Sequence, residues 1–251
     1  MTLAQEMFAI APAFGQAHVT AFQTGLLTGK ALWLHRMYLL QLPVVPTIVI
    51  TRAAWEGLQA ERRRGEKRLR AHWVATLFRL VPRDSDLPQL VVRTSANVHR
   101  AGLMPARVGL RAPAREPDAV DPGKPLGRAI GDAFASYRAG LPGAQDGDGD
   151  RHIVIIQALA TGEVVNFLTR HPDTGALGPA PAESGRLPPL PSTIDEIVRG
   201  LDAEAGRHMR ATVAIESDVV RLISARPVPM AAAAEIEAAV DRVRQDVWTP
   251  Q

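Results

Sequence analysis

The stretch from Arg210 to Arg226 alternates apolar and polar side chains over two short runs, and that pattern fixes it as a β-hairpin with one buried and one open face. In the first run Ala211, Val213 and Ile215 share a face, which leaves Arg210, Thr212 and Ala214 on the other. The second run, Val219 to Arg226, puts Ser224 and Arg226 on a single face, and Ser217-Asp218 can turn the chain between the two. The open face carries no carboxylate. It suits an anion and is poor for a hard cation, which needs several oxygen ligands, usually carboxylates.

Such a hairpin must bury its apolar face against something, and the composition shows that the chain can supply it. Its 251 residues, 46% hydrophobic and 22% charged, are enough for one or two domains with a real core. There is no cysteine, so disulfides, zinc–thiolate sites and thiol nucleophiles are excluded. The net charge of +3 is modest and names no partner. Met1 to Gly15 has no basic segment ahead of an apolar one, and no run of about 18 apolar residues follows, so a cytoplasmic protein without membrane contact is expected. The seven histidines lack metal-binding spacing. The basic run Arg62 to Arg70 has no interleaved aromatics and reads as a solvated helix face rather than a nucleic-acid reader.

Periodicity and turn residues divide the chain. Gly29 to Leu40 is a helix entered from a Gly-Leu-Leu-Thr-Gly turn, with Lys30 in its first turn, where a cation is electrostatically misplaced unless it has an anionic partner. Ile48 to Ile50 reads as a buried strand, Ala53 to Arg70 as a helix, and Leu90 to Ser95 as a strand running into a loop that lasts to Arg111. The proline-rich stretch 112–125 is the natural linker. A helix over 126–140 and a flexible turn over Asp146 to Asp150 come next. Strands at 153–159 and 164–169 are expected, then an irregular Pro179 to Pro191 and a helix from Thr193 to Arg207 capped by Ser192. After the hairpin, Met230 to Val247 has Ile236, Ala239, Val240 and Val243 at helical spacing.

Four segments carry a likeness to a known family. Leu26-Leu-Thr-Gly-Lys-Ala-Leu-Trp-Leu-His-Arg-Met with Leu42-Pro-Val-Val-Pro is the first, and Val91-Val-Arg-Thr-Ser-Ala is the second. Leu168-Thr-Arg-His-Pro-Asp-Thr-Gly and Leu222-Ile-Ser-Ala-Arg-Pro complete the set. In this order they resemble the N-terminal ATP-grasp nucleotide-binding domain of pyruvate phosphate dikinase and phosphoenolpyruvate synthase, in truncated form. The resemblance implies a reduced ATP-grasp α+β fold, two lobes with a nucleotide cleft between them. Residues 1–111 would be the N-terminal lobe, 112–125 a linker replacing a helical insertion, 126–150 a helix returning to the first lobe, and 151–251 the C-terminal lobe.

By the same resemblance Lys30, Arg93 and Arg226 contact nucleotide phosphates, and Gly102 belongs to the loop that covers them. Adenine is placed against the segment holding Gln157 and Leu159, where backbone groups supply the hydrogen bonds. The family's Asp-x-Glu strand corresponds to Arg210 and Thr212, and its glutamine ligand to Ser224, so the magnesium positions are altered. Replacing a carboxylate by a guanidinium about 4 Å from a divalent ion turns roughly 8 kcal/mol of attraction into repulsion at an effective dielectric near 20, as an upper bound. The expected ligand is therefore ATP or another nucleotide, weakly held and with magnesium disfavoured. Normal phosphoryl transfer is expected to be impaired, and the domain to act with a separate phosphohistidine or catalytic protein. Two alternatives stand beside this. One is an active kinase subunit that phosphorylates a histidine elsewhere and recruits its metal through Asp173, Glu183 or Glu216. The other is a structural interaction protein with a vestigial cleft. Arg210 itself either pairs with Glu216 or takes the place of the ion.

Overall fold

Residues 6–13, 15–64, 68–77, 89–96, 103–111, 124–139, 152–183 and 186–244 are described by a computed structural model. The chain divides into two units, residues 1–32 with 45–159 and residues 33–44 with 160–251. Each unit is built on one antiparallel sheet, so the expected α+β class is what the chain adopts.

The first unit holds β1 (Met7–Ala11), α1 (Ala21–Leu26), the first turn of α2 (Gly29–Leu39), β2 (Thr47–Thr51), α3 (Arg52–Arg64), α4 (Arg68–Leu77), β3 (Gln89–Ser95), β4 (Arg107–Arg111), α5 (Lys124–Ala139) and β5 (Ile153–Ala158). Its strand order is β1-β2-β5-β3-β4. The central strands β2 and β5 are continuous apolar runs because both of their faces are buried. Ile48, Ile50, Leu90, Val92, Val154 and Ile156 pack on one face with Leu58, Trp73, Ile130 and Phe134 from α3, α4 and α5. Each of these aliphatic side chains contributes about 1.5–3 kcal/mol by leaving water.

Several sequence expectations change here. The 153–159 strand does not join the C-terminal lobe, because β5 pairs with β2 and β3 at the centre of the first sheet. The loop expected up to Arg111 contains β4, which pairs with β3. The helix expected over 53–70 is two helices, α3 and α4, in which Glu61 is buried and Arg62, Arg63 and Arg64 are exposed. The helix after the linker starts at Lys124 with Pro125 in its first turn, where a missing N–H costs nothing. Residues 112–123, the 146–150 turn and Gly102 lie outside the described residues.

The second unit holds the rest of α2, β6 (Glu163–Arg170), β7 (Leu177–Pro181), α6 (Thr193–Ala205), β8 (Met209–Glu216), β9 (Val219–Pro227) and α7 (Ala232–Arg244). Its order is β7-β6-β8-β9. The hairpin forms as expected, with positive φ at both Ser217 and Asp218, the backbone of a two-residue type I′ turn. Pro179 and Pro181 are not irregular, as they lie in β7, an edge strand, where a residue without an N–H is tolerated. Ser192 stands at the start of α6 but its side chain makes no capping bond. Ile194, Ile197, Val198 and Leu201 of α6 are buried, and α6 contacts all four strands.

One ionic cluster ties this unit together. Arg170, fully buried, donates from Nε and Nη2 to the two oxygens of Asp202 on α6, each at 2.7 Å. Its Nη1 reaches the Gly175 carbonyl and Asp241 of α7, both at 2.8 Å. Arg242 donates to the same Asp202 at 2.8 Å. Arg170 thus binds two helices to the sheet as well as its own loop. Burial pushes the Asp202 carboxyl up, but hydrogen bonds and charge from Arg170 and Arg242 outweigh it and hold the group below its ordinary value. Replacing Asp202 by Asn leaves two buried guanidinium groups short of an anion, and an expected loss of about 3–5 kcal/mol is measurable by denaturant unfolding. A loss near zero would mean that the cluster is not formed.

His208 sits beside this cluster. Burial lowers its pKa, the Asp202 charge raises it in part, and Arg170 and Arg242 lower it further. His35 is lowered by burial alone. Both histidines bind a proton more readily in the unfolded chain. Stability is therefore complete above their ordinary value of 6.5 and falls as the pH drops below it. The variant His208→Leu should show a shallower fall in unfolding free energy over that acid range, and an unchanged slope would contradict the assignment.

Candidate anion-binding site

Where β3 ends and α2 begins, short hydroxyl side chains close a knot. Ser95 Oγ donates to the Thr28 carbonyl at 2.6 Å and accepts the Ala31 N–H at 2.9 Å. Thr28 Oγ1 donates to the Ser95 carbonyl at 2.8 Å. The Ser95 side chain thus does for the first turn of α2 what a capping residue in the helix's own chain normally does. The Ser95 N–H donates to the Tyr137 hydroxyl at 2.8 Å, which in turn donates to the Ile153 carbonyl at 2.6 Å. Burial holds the Tyr137 phenol well above its ordinary value, so it stays protonated and keeps its donor.

Gly29 is at the centre of this closure. Its φ is +52°, and a Cβ there would collide with the backbone of Ala96. That conformation and that approach both require glycine. The result places the Lys30 ammonium 3.2 Å from the Thr94 carbonyl, one residue from Arg93. Lys30 therefore meets β3 at the same end that carries Arg93.

Arg93 projects from the side of the first sheet opposite Val92 and the helices. Its partner among the described residues is an amide oxygen, Gln157 Oε1, at 3.4 Å. Gln157 is itself buried and donates to Thr47 Oγ1 at 3.2 Å. Burial lowers the Arg93 pKa, and no counter-charge offsets it. A loop carboxylate, the ordinary structural partner of such an arginine, is not found among the described residues. Leu159 departs from expectation. Its N–H donates to the Gln89 carbonyl at 2.8 Å, and the Ala158 N–H to the Pro46 carbonyl at 3.1 Å, so neither N–H is left to a base.

The second unit has its own cationic surface. Arg210 lies directly opposite Arg226, and Thr212 opposite Ser224, on the side of the sheet away from the buried Met209, Ala211 and Val213. Asn166 of β6 is opposite Thr212 and accepts its hydroxyl at 2.8 Å. A bulge at Ile223 adds a residue to β9, which brings Ser224 and Arg226 into line with Arg221 on this face. Directly opposed like charges are unfavourable. Arg210 is compensated by Glu183 at 2.8 Å, whereas Arg226 has no ion pair among the described residues.

The expected Arg210–Glu216 pair does not form, because the two lie six residues apart on one strand, about 20 Å at the usual rise. Glu216 instead meets Arg221 at 3.8 Å. These positions do not fit magnesium. A guanidinium, two hydroxyls and an amide stand on the face, and among the described residues no three histidine or carboxylate side chains converge. Asp173, Glu183 and Glu216 are not brought together either. Thr28, Ser95 and Asn166 are the site residues that the sequence reading missed. The available signal for Thr28 was a hydroxyl residue directly before Gly29, and Asn166 gave none.

The first unit also has a groove of about 290 Å³ between α3 and α5, lined by Arg52, Trp55, Arg63 and Phe134 among others. It lies on the helix-covered side of the sheet, away from Arg93. No helix of the described residues is long and apolar enough to cross a membrane.

No protein-family model matches the sequence, and no curated protein is similar to it. Among solved structures the chain is similar to a RimK domain ATP-grasp protein from Sphaerobacter thermophilus, with a TM-score of 0.46 and 11% identity over 87% of this chain and 67% of that one. It is also similar to D-alanine–D-alanine ligase from Helicobacter pylori (TM-score 0.44, 14% identity, 88% and 57%) and to phosphoribosylamine–glycine ligase from Thermotoga maritima (0.43, 9%, 89% and 56%). The chain spans little more than half the length of the two ligases.

Two substitutions test the knot. Gly29→Ala should destabilise by about 3 kcal/mol or more, because backbone must move. Ser95→Ala removes the side-chain acceptor of the buried Ala31 N–H and should cost about 1–3 kcal/mol. Chemical denaturation measures both, and near-wild-type stability for Gly29→Ala would contradict the close approach to Ala96.

Proposed function

We propose that the chain is a reduced ATP-grasp domain of the pyruvate phosphate dikinase kind that binds the phosphates of a nucleotide, ATP first among them, without performing magnesium-dependent phosphoryl transfer. The observation that carries this reading is Arg93, a half-buried guanidinium near the end of β3 whose partner among the described residues is an amide, with Lys30 bonded to the carbonyl of the following residue. A cation partly withdrawn from water without an anion is costly, and an arginine's planar fork matches a phosphate. The four ordered sequence segments support the choice of nucleotide over a simpler anion. Arg226, with Arg210 and Ser224 on the same sheet face, is assigned as a further phosphate contact.

The impaired chemistry follows from the donor set. Phosphoryl transfer relies on metal ions to neutralise developing charge, and Arg210, Thr212 and Ser224 offer no carboxylate to hold one. The domain therefore acts in company with a catalytic or phosphohistidine-bearing chain.

Thermal unfolding with ATP, ADP and AMP, each with magnesium and with excess chelator, tests the reading. ATP at about 100 times its dissociation constant should add roughly 2.7 kcal/mol of stability, with or without the metal. Arg93→Met should remove most of that shift. No shift with any nucleotide, or a shift that the chelator abolishes, would sink the proposal.

A further inference from the structure

α7 presents an apolar stripe to solvent. Ile236, Val240 and Val243 are 64%, 39% and 38% exposed, while Ala234, Ala238 and Arg242 form the buried side of the same helix. The helix cannot turn to hide the stripe. Asp241 and Arg242 are fixed to Arg170 and Asp202, and the Ala234 carbonyl lies against Gly175 so closely that no Cβ would fit there. The sequence pattern that marks α7 as a helix therefore does not point these residues to the core. They are left on the surface by two ion pairs.

We propose that this stripe is a self-association face, which pairs α7 of two copies of the chain in antiparallel orientation. The charges beside the stripe select both the occupant and the direction. Ile236, Val240 and Val243 follow the 4-3 spacing of a coiled-coil seam, d-a-d. Glu237 and Arg244 then fall at successive e positions, seven residues apart, on one flank, and both are exposed. Antiparallel pairing sets e against e about a two-fold axis near Val240, so Glu237 of each copy meets Arg244 of the other, twice. Val240 of one copy then faces Val243 of its partner, and the reverse. Parallel pairing would set these charges against Ala239 and Ala232, and no charge pair would form. A surface whose two halves complement each other under a two-fold axis is what an isologous interface requires. The contact is one helix of 13 residues per copy, so association is reversible and concentration-dependent.

Sedimentation equilibrium of the full chain over a wide concentration range tests this. The expected result is a monomer–dimer equilibrium. Ile236→Asp should weaken it by at least about tenfold, as should Glu237→Arg, which sets arginine against arginine. The double exchange Glu237→Arg with Arg244→Glu should restore it to within about threefold of the wild type. All three sites are exposed, so the melting temperature of the monomer should stay unchanged and serves as the folding control. A chain that remains monomeric at every concentration overturns the proposal. So does a dimer that none of these variants alters, or one that the double exchange fails to recover.

Discussion

The hydrogen bonds around Ser95 are the constraint on which the arrangement of the first unit rests. One side chain and its two backbone groups tie the end of β3 to the start of α2, to α5 through Tyr137, and to β5 through the Ile153 carbonyl. Each of the Ser95 and Tyr137 donors in this relay finds an acceptor, which is the condition for placing polar groups in a core at little cost. Positioning of Lys30 and Arg93 follows from it. The lysine is the next residue after Gly29, whose close packing on Ala96 needs the knot, and the arginine is two residues before Ser95 on the same strand. A cation at the beginning of a helix opposes the helix dipole. Its bond to the Thr94 carbonyl offsets part of that cost.

The two units hold their arginines in different ways. In the second, Arg170 and Arg242 share Asp202 and Asp241, so the guanidinium groups are neutralised from within and serve to hold helices in place. In the first, Arg93 has an amide where Arg170 has carboxylates. The two arginines differ in depth, Arg170 being fully buried and Arg93 half-buried, and in partner chemistry, and the proposed anion contact rests on the second difference. It also explains why Arg170 and Arg93, which look alike in sequence as strand arginines flanked by threonine, have different assignments.

Much of the architecture was legible from periodicity. The hairpin with its Ser217-Asp218 turn, the helix starting at Gly29, and the strands β2, β3 and β5 all follow from alternation or apolar runs. What escaped was non-local. Nothing near Ile153 tells that β5 inserts between β2 and β3, since a continuous apolar run specifies burial and not neighbours. Pro179 and Pro181 mislead because their tolerance depends on β7 being an edge. The apolar spacing of α7 gives the helix but not which side is buried, because ion pairs of Asp241 and Arg242 decide that. At the site, Lys30 and Arg93 were legible as charges beside special turns. The buried Ser95 relay was not, as its partners Thr28 and Tyr137 lie 67 and 42 residues away.

The central claim is that the turn at Thr28 to Ala31, locked by Ser95, holds its cations ready for nucleotide phosphate. Hydrogen–deuterium exchange of the full chain, with and without ATP in excess chelator, reads this segment directly. Slower exchange confined largely to the first turn of α2 and its flanking residues, and absent with adenosine, is the predicted result. Unchanged exchange there, at an ATP concentration that protects other parts of the chain, would contradict the account.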